Sequence, residues 1–580
     1  MVDKKTASFM RSLCLGEIEE EILVPYPEPT MAEKETLGAI VGTLKSMLQP
    51  RERDFAAWDR AGEMPREFIG ELTAAGLFGL VIPESFGGLG LGATAYSRVL
   101  QEISRYDGSV GVTVGAHSSI GMRGLLLFGT DEQKARYLPK LASGEMIAAF
   151  CLTEPGAGSD AASIKTTAVR DGDDWILNGE KLWITNGGIA DFFTVFAKTS
   201  QEGRGHITAF IVTRDMKGVA TGPHEDKMGL RASSTTTVSL EDVRVPVANV
   251  LGEVGKGFKV AMKILNAGRT GLGGGAVGGM KRLIELSVHQ ARDRVQFGRP
   301  IATFGAIREK IGQMVVDCYA AESVVNLVAG LADRGFEDVA VESAISKVLA
   351  TEAMGRTADE ALQIAGGGGF MKELPYERAV RDCRIMRIFE GTNEILRLFV
   401  ALAAMNDVSE ELKDVATSMR GVLADPVKGF GVLSDYAKRR ASLATGLRRQ
   451  KGRWTLLAPQ VAEEAVVFEE AARDLAIATD RLIRKHGKKI VDAQLPTKRL
   501  ADVMIDLFTL GALLARVSTR IEDRGEAAAV VEREILKVFA GQAKRRVAAN
   551  LASLDENEDA GIDRIAAHVL EVGRYGWDNL

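Results

Sequence analysis

The chain is poor in the residues that build metal centres and disulfide frameworks. Its 580 residues include 4 cysteines and 6 histidines. Cys14, Cys151, Cys318 and Cys383 are scattered with no CxxC pair, and no histidines stand at metal-ligand spacing. That argues against a zinc site or a disulfide scaffold and fits a reducing compartment. No apolar run approaches the roughly 18–20 residues that span a bilayer. A net charge of −5 gives no reason to expect nucleic-acid binding. The opening "MVDKKTASFMRSLCLGEIEEEI" has lysines but no long apolar core, and acids follow soon. No secretory or transit peptide is expected, and the cytoplasm is the default location.

What the chain does have is bulk and order. Hydrophobic residues make up 46% and charged residues 26%, enough for several packed domains. Residues 34 to 150 read as helical, with "MPREFIGELTAAGLFGLVIP" as an amphipathic helix. From 151 the pattern shortens. "DWILNGEKLWITNG", "DFFTVFAKTS", "HITAFIVTRD" and "TTTVSLEDVRVP" predict antiparallel strands. Helical periodicity returns after Gly257. The expected domains are 1–150 (helical), 151–257 (β), 258–405 (a four-helix bundle) and 406–580 (a helical extension). This order is not the strand–helix alternation of a nucleotide-binding parallel sheet. "GGGAVG" at 273–278 matches GxGxxG by letter, but no strand leads into it. It reads as a glycine-rich helix start packed closely on a neighbour.

Three stretches carry chemistry. "CLTEPGAGSD" (151–160) offers the hydroxyls of Thr153 and Ser159 and free backbone N–H groups for a polar ligand. In "EKLWITNGG" (180–188), Trp183 and Thr185 are two apart and share a strand face. An aromatic plate beside a hydroxyl suits a flat heteroaromatic ring. "RIFEGTNEILRLFV" (387–400) sets one carboxylate, Glu390, beside Phe389 in an apolar segment. A buried carboxylate is costly unless paired or used.

These motifs, with "DRVQFGRP" and "QIAGGGGF", stand in the order of the acyl-CoA dehydrogenase family, which the chain resembles over roughly residues 35–405. "LGATAYSRVLQEI", "GAHSSIGMRGLLLFGT" and the C-terminal helical extension resemble its very-long-chain branch. The resemblance implies an N-terminal α domain, a middle antiparallel β domain, a C-terminal four-helix bundle and an extra C-terminal helical domain. It implies FAD as cofactor and long- or very-long-chain acyl-CoA as substrate. A homodimer passing electrons to an electron-transfer flavoprotein is expected.

Residue by residue, the resemblance implies that Thr153 and Ser159 line the flavin and the acyl-CoA head. Trp183 covers the isoalloxazine ring, and Thr185 bonds near its reactive nitrogen. Arg294 and Phe297 reach the FAD of a neighbouring subunit, whose adenine and pyrophosphate end is held by Gln363, Gly366 and Gly367. Thr392 and Glu394 touch FAD again, and Asn266 and Arg269 lie on the substrate side. Gly305 stands where many members have Gln, which leaves one FAD contact in question.

Glu390 is then the base that removes the α-proton of the thioester while the β-hydrogen leaves as hydride, giving a trans-2-enoyl-CoA. Desolvation beside Phe389 and the acyl chain should raise its pKa. Gly391 lets substrate approach the backbone. Gly111 and Gly115, four apart on one helical face, are expected to leave the tail pocket open. The basic stretch 425–454, with Phe430, Tyr436 and Trp454, is expected to lie on an anionic membrane surface. That surface would be the inner face of the cytoplasmic membrane, or the mitochondrial inner membrane in a eukaryote. Two other functions share the architecture: an acyl-CoA oxidase using oxygen, and a scaffold or assembly protein.

Overall fold

The computed structural model describes residues 4–200, 206–410, 412–413 and 452–578. The chain divides into two compact units. One is built on Tyr26–Leu396, and the other joins Ala7–Pro25 to Arg397–Leu580.

The larger unit opens with helices α1 (Met31–Leu48), α2 (Glu52–Ala61), α3 (Arg66–Ala74), α4 (Ala93–Tyr106), α5 (Gly108–Gly115) and α6 (Asp131–Ala142). Thr30 starts α1 with a reciprocal capping box: its hydroxyl accepts from Glu33 N–H, and Glu33 accepts from Thr30 N–H at 2.7 Å. Six residues of π-helix, Ala116–Gly121, follow α5. There His117 is fully buried, accepts from Ala148 N–H on Nδ1 at 3.0 Å, and so donates from Nε2 to the Phe78 carbonyl at 3.1 Å. Burial draws its pKa down to about 4, keeping the ring neutral.

The middle of this unit is an eight-stranded sheet. Its strands are β1 (Ala148–Cys151), β2 (Thr167–Asp171), β3 (Asp174–Thr185), β4 (Phe192–Lys198), β5 (Ile207–Thr213), β6 (Val219–Thr221), β7 (Thr235–Pro246) and β8 (Val250–Leu251). The order is β6-β7-β3-β2-β4-β5-β8, with β1 beside β4. Most pairs are antiparallel, but β1 and β2 both run parallel to β4. β1 begins at residue 148, inside the span read as helical. Its sequence "AAFC" carries two alanines, which signal strand poorly. β5 is buried along its whole length and β4 except at its last residue, so neither alternates.

Three long helices follow: α7 (Gly257–Asp293), α8 (Gly305–Asp333) and α9 (Ala340–Ala365). With α10 (Tyr376–Arg384) they share one core around Val277, Met280, Val325, Ala353, Ile364 and Met386. "GGGAVG" lies in the middle of α7 and not at a helix start. The close packing expected of it is present. A Cβ at Gly274 would lie 2.8 Å from the Ser97 carbonyl, and one at Gly278 2.0 Å from that of Gln101, so α4 could not come this near. Asp333, at the end of α8, caps α4 by accepting from Ala93 and Thr94 N–H at 2.6 and 2.9 Å. By length and composition α8 could cross a membrane, but 72% of its apolar window is buried inside the protein. α11 (Asn393–Ala404) begins after the turn that carries Glu390.

The smaller unit contains α12 (Ala462–His486), α13 (Gln494–Arg524), α14 (Val530–Ala552) and α15 (Asp559–Val572). Residues 7–25, expected with the N-terminal domain, fold here. Phe9 packs among Trp454, Phe468 and Phe508 with ring centroids 6.2–6.4 Å away. Of the expected membrane segment 425–454, only 452–454 fall among the described residues. Trp454 is not a lipid-facing residue: it stacks edge-on to Phe468 at 5.2 Å. An aromatic core holds its ring better than solvent would. The four cysteines are buried free thiols.

Candidate active site

Glu390 sits in the turn between Arg387 and α11, with φ of 55°. A side chain at positive φ is strained, and the next residue, Gly391, relieves the turn with φ of 92°. The residue keeps some exposure, but Oε2 is shut from solvent with no hydrogen-bond partner among the described residues. Burial raises the carboxyl's pKa, and the nearby charges of Lys347 and Arg269 oppose that. Gly268 on α7 faces it: a Cβ there would stand 3.3 Å from Oε2. Phe389 is half-buried on the bundle core.

The same place gathers Asn266 and Arg269 from α7. Arg269 is buried and donates to Asn266 Oδ1 at 2.6 Å, while its Nε has no partner among the described residues. Its Nη2 is 3.7 Å from where a Gly391 side chain would begin. Burial draws its pKa down to about 10. Thr392 accepts from Ile395 N–H at the start of α11, and Glu394 points to solvent.

Two residues here escaped the sequence reading. Lys347 on α9 is fully buried and donates to the Gly391 carbonyl and to Asn393 Oδ1, each at 2.8 Å. Asn393 in turn donates to Thr351 Oγ1 and Glu352 Oε1 at 3.1 Å. The signal was one lysine inside the apolar run "AISKVLA".

On the sheet, β3 carries a register break between Lys181 and Ile184, and Trp183 lies inside it with φ of 56°. A bulge re-aims a side chain. Trp183 is 63% exposed, Ile184 is buried, and Thr185 turns outward again. Leu182 N–H donates to the Thr153 carbonyl at 2.9 Å, which ties the two motif loops together. Ser159 is exposed, just past the turn closed by Glu154 and Ala157. A buried ion pair, also missed, holds this corner. Lys181 donates to Glu154 Oε1 at 2.7 Å and to the Phe196 carbonyl at 2.7 Å. Burial works to raise the Glu154 carboxyl, but Lys181 and hydrogen bonds from Lys165 and Thr166 outweigh it and hold it below its ordinary value.

Arg294 and Phe297 occupy a hairpin, β9 (Val295–Gln296) and β10 (Arg299–Pro300). Phe297 is 94% exposed, again at positive φ, 54°. Gln363, Gly366 and Gly367 are exposed at the end of α9, where Gly366 has φ of 62°. Trp183, Phe297 and Glu390 thus account for three of the six non-glycine residues at positive φ among the described residues. Such strain persists where surrounding structure enforces it, commonly at functional sites.

The two glycines of α5 differ. Gly111 does not open a cavity, because a Cβ there would meet Ser104 Oγ at 2.3 Å: it serves close packing on α4. Gly115 has only Leu100 Cδ1 near it, at 3.9 Å.

Family models match almost the whole of this architecture. They are described as acyl-CoA dehydrogenase N-terminal domain (residues 35–145), middle domain (149–243) and C-terminal domain (255–405). The chain belongs to the acyl-CoA dehydrogenase family. A fourth model, ACAD9/ACADV C-terminal domain, matches 459–575. A very long-chain specific acyl-CoA dehydrogenase, mitochondrial, from Macaca fascicularis is 41% identical, over 95% of this chain and 85% of its own. An acyl-CoA dehydrogenase complexed with FAD from Bacillus anthracis is 33% identical with a TM-score of 0.81, covering 99% of this chain and 97% of its own. Butyryl-CoA dehydrogenase from Megasphaera elsdenii, 36% identical with a TM-score of 0.62, covers 65% of this chain and 98% of its own. The match to this shorter enzyme leaves about a third of the present chain uncovered. This family member is an FAD-dependent oxidoreductase acting on acyl-CoA, and the fold expected from the sequence is the one found.

Proposed function

We propose that the chain dehydrogenates long- and very-long-chain acyl-CoA to the trans-2-enoyl-CoA in fatty acid β-oxidation, with Glu390 as the base. The observation that carries this reading is Glu390 Oε2: shut from solvent, without a hydrogen-bond partner among the described residues, on a strained turn and flanked by glycines. An ion in that position is poised to take a proton. Gly268 keeps the side of Oε2 clear, since a Cβ there would stand 3.3 Å from it. Among the described residues Glu390 N–H donates to no backbone carbonyl, which suits it to bond the thioester oxygen where negative charge develops. Burial raises the Glu390 pKa, which makes the carboxylate a stronger base, and the charges of Lys347 and Arg269 oppose that rise.

The exposed faces fit FAD. Trp183, Thr185, Thr153 and Ser159 would hold the flavin end of one subunit's cofactor, with Thr392 and Glu394 nearby. Arg294, Phe297, Gln363, Gly366 and Gly367 would hold the adenine end of the partner's. Solvent-exposed aromatics on enforced backbones make sense when a ligand and a second subunit cover them. Bound FAD supplies the hydride acceptor at the β-carbon. A homodimer follows from this division of labour, and an electron-transfer flavoprotein is the proposed acceptor. Peripheral membrane attachment through residues 425–453 is proposed on their basic and apolar composition. Sedimentation with anionic vesicles tests it, and equal pelleting of a variant neutralised at 438–453 would overturn it.

The deciding experiment is the visible spectrum before and after anaerobic palmitoyl-CoA. Bleaching in the wild type, lost in Glu390→Gln with FAD retained, is expected. Undiminished bleaching in the variant would remove Glu390 as the base.

A further inference from the structure

A cleft of about 880 Å³ opens on the larger unit, and neither Glu390 nor Trp183 lines it. Its walls come from α2, from the loop joining β6 to β7, and from residues 372–381, where α10 begins. Pockets of about 300–1,000 Å³ hold small organic ligands. The charges that line this one do not cancel. Asp59 accepts from Arg381 at 2.8 Å, Glu377 from the same guanidinium at 2.6 and 2.9 Å, and Asp226 from Arg231 at 2.7 Å. Glu52 pairs with Arg282, and Arg378 lies 3.4 Å from Asp107. Every lining carboxylate except Glu373 is therefore held. On the other side of the balance, Arg53, Arg60 and Lys372 make no ion pair among the described residues. Lys227 donates to two uncharged oxygens, the Ser233 carbonyl and the Thr235 hydroxyl.

Four cations thus face one carboxylate, a surplus of three charges. Burial and the neighbouring Arg231 charge draw the Lys227 pKa down to about 8, and a bound anion would favour its charged form. The start of α10 adds to the pull. Pro375 stands at its cap position and has no group to bond the first-turn N–H groups, while Glu377 and Arg378 of that turn line the cleft. Free N–H groups and the helix dipole favour an anion there. Met228 and Leu374, 60% and 41% exposed, give the same cleft an apolar wall. Guanidiniums grip phosphates and also stack on flat rings. One phosphate carries a charge of only about −1.5 to −2, so a chain of two or three matches the surplus better.

We propose that this cleft binds a free nucleoside di- or triphosphate, with its phosphates on Arg53, Arg60, Lys227 and Lys372 and its base against Met228 and Leu374. Binding here needs neither Glu390 nor acyl-CoA. Three chain segments far apart in sequence would share one ligand, so the ligand would also stabilise the unit they belong to.

The test is calorimetric titration of the FAD-saturated protein with ADP, inorganic pyrophosphate and adenosine. ADP should bind, pyrophosphate should bind more weakly, and adenosine should not bind at the same concentration. In Arg53→Gln/Arg60→Gln the ADP dissociation constant should rise about tenfold or more, since two charge-assisted contacts are lost. Both side chains are exposed, so bleaching by palmitoyl-CoA should not change. Equal dissociation constants in the two proteins would place ADP elsewhere and overturn the site, as would a wild type that takes up no ADP at millimolar concentration. Adenosine binding as tightly as ADP would overturn the role given to the cations. Should the double variant fail to fold, Lys372→Gln decides in the same way, with an expected rise of about three- to tenfold. A phosphoinositide headgroup offers the same phosphate chemistry. Pelleting with vesicles containing phosphatidylinositol 4-phosphate, lost in the double variant and unaffected by ADP, would make the ligand a lipid and overturn the free nucleotide.

Discussion

Lys347 and Gly391 are joined by a 2.8 Å hydrogen bond from the lysine ammonium to the glycine carbonyl. The turn that carries the base is therefore held by a buried cation on another helix. The same cation lowers the carboxylate's pKa against the pull of burial, so geometry and basicity share one residue.

Lys347→Met should accordingly do two things. Loss of the anchor should lower kcat about ten- to a hundredfold, which is about 1.4–2.8 kcal/mol of barrier. Loss of the positive charge should raise the Glu390 pKa further. Glu390 works only when ionised, so the acid limb of the kcat profile moves to higher pH. A limb that stays in place would leave Lys347 with anchoring alone.

Lys347 also makes stability depend on pH. Burial draws its pKa from 10.5 down to about 8. Between those values the unfolded chain binds the proton and the folded chain does not, so this group's contribution to stability rises with pH through that window. Below pH 8 both states are charged and the folded state carries the full penalty. Urea unfolding at pH 8 and at pH 10.5 should show the rise in wild type relative to Lys347→Met. Parallel curves for the two proteins would refute it.

Trp183→Gly should separate stability from function. The indole is mostly exposed, so little burial is lost, while relief of its left-handed backbone is worth about 1–3 kcal/mol. We expect an apoprotein that melts no lower than wild type and retains less FAD after gel filtration. Undiminished FAD content would take Trp183 out of the cofactor site.

For Glu154 and Lys181, removing one partner leaves a buried charge alone. Lys181→Met or Glu154→Gln should cost about 3–5 kcal/mol in urea unfolding, and the double replacement should recover much of it. Additive losses would show that the two residues act separately.

Glycine substitutions give opposite signs on neighbouring helices. Alanine at Gly115 meets nothing closer than 3.9 Å, so the helix-propensity gain of about 1 kcal/mol should dominate. Alanine at Gly278 collides with a carbonyl at 2.0 Å, and overpacking of about 1–3 kcal/mol or more should win. Thermal melts of the two variants shifted in the same direction would contradict this.

Local patterns were legible in the sequence and long-range partners were not. "RIFEGTNEI" marked Glu390 because a carboxylate in an apolar run needs a reason. "KLWITNGG" marked Trp183, though not the bulge that turns it outward. Lys347 stayed hidden because its partners lie about a dozen helical turns of sequence away, in a different motif. Lys181 and Glu154 were quoted inside motifs yet passed over, because an ion pair is visible only once two strands are side by side. Gly111 was misread for the same reason, since only Ser104 on α4 shows that its missing side chain is used for contact. Residues 7–25 read as the start of the first domain because nothing local ties Phe9 to aromatics near the other end.

That last pairing has a consequence for synthesis. Glu20 accepts a hydrogen bond from Thr455 N–H, 435 positions later. At about 5–20 residues per second, the ribosome takes roughly 20–90 s to deliver the second partner after the first has emerged. Through that interval Phe9 and Ile22 have no native surface to bury against. Residues 7–25 thus wait for partners made long after them. A product stalled before residue 455 would carry an unburied apolar segment that chaperones can bind, a mark of incompleteness on a catalytic unit whose own residues are already made.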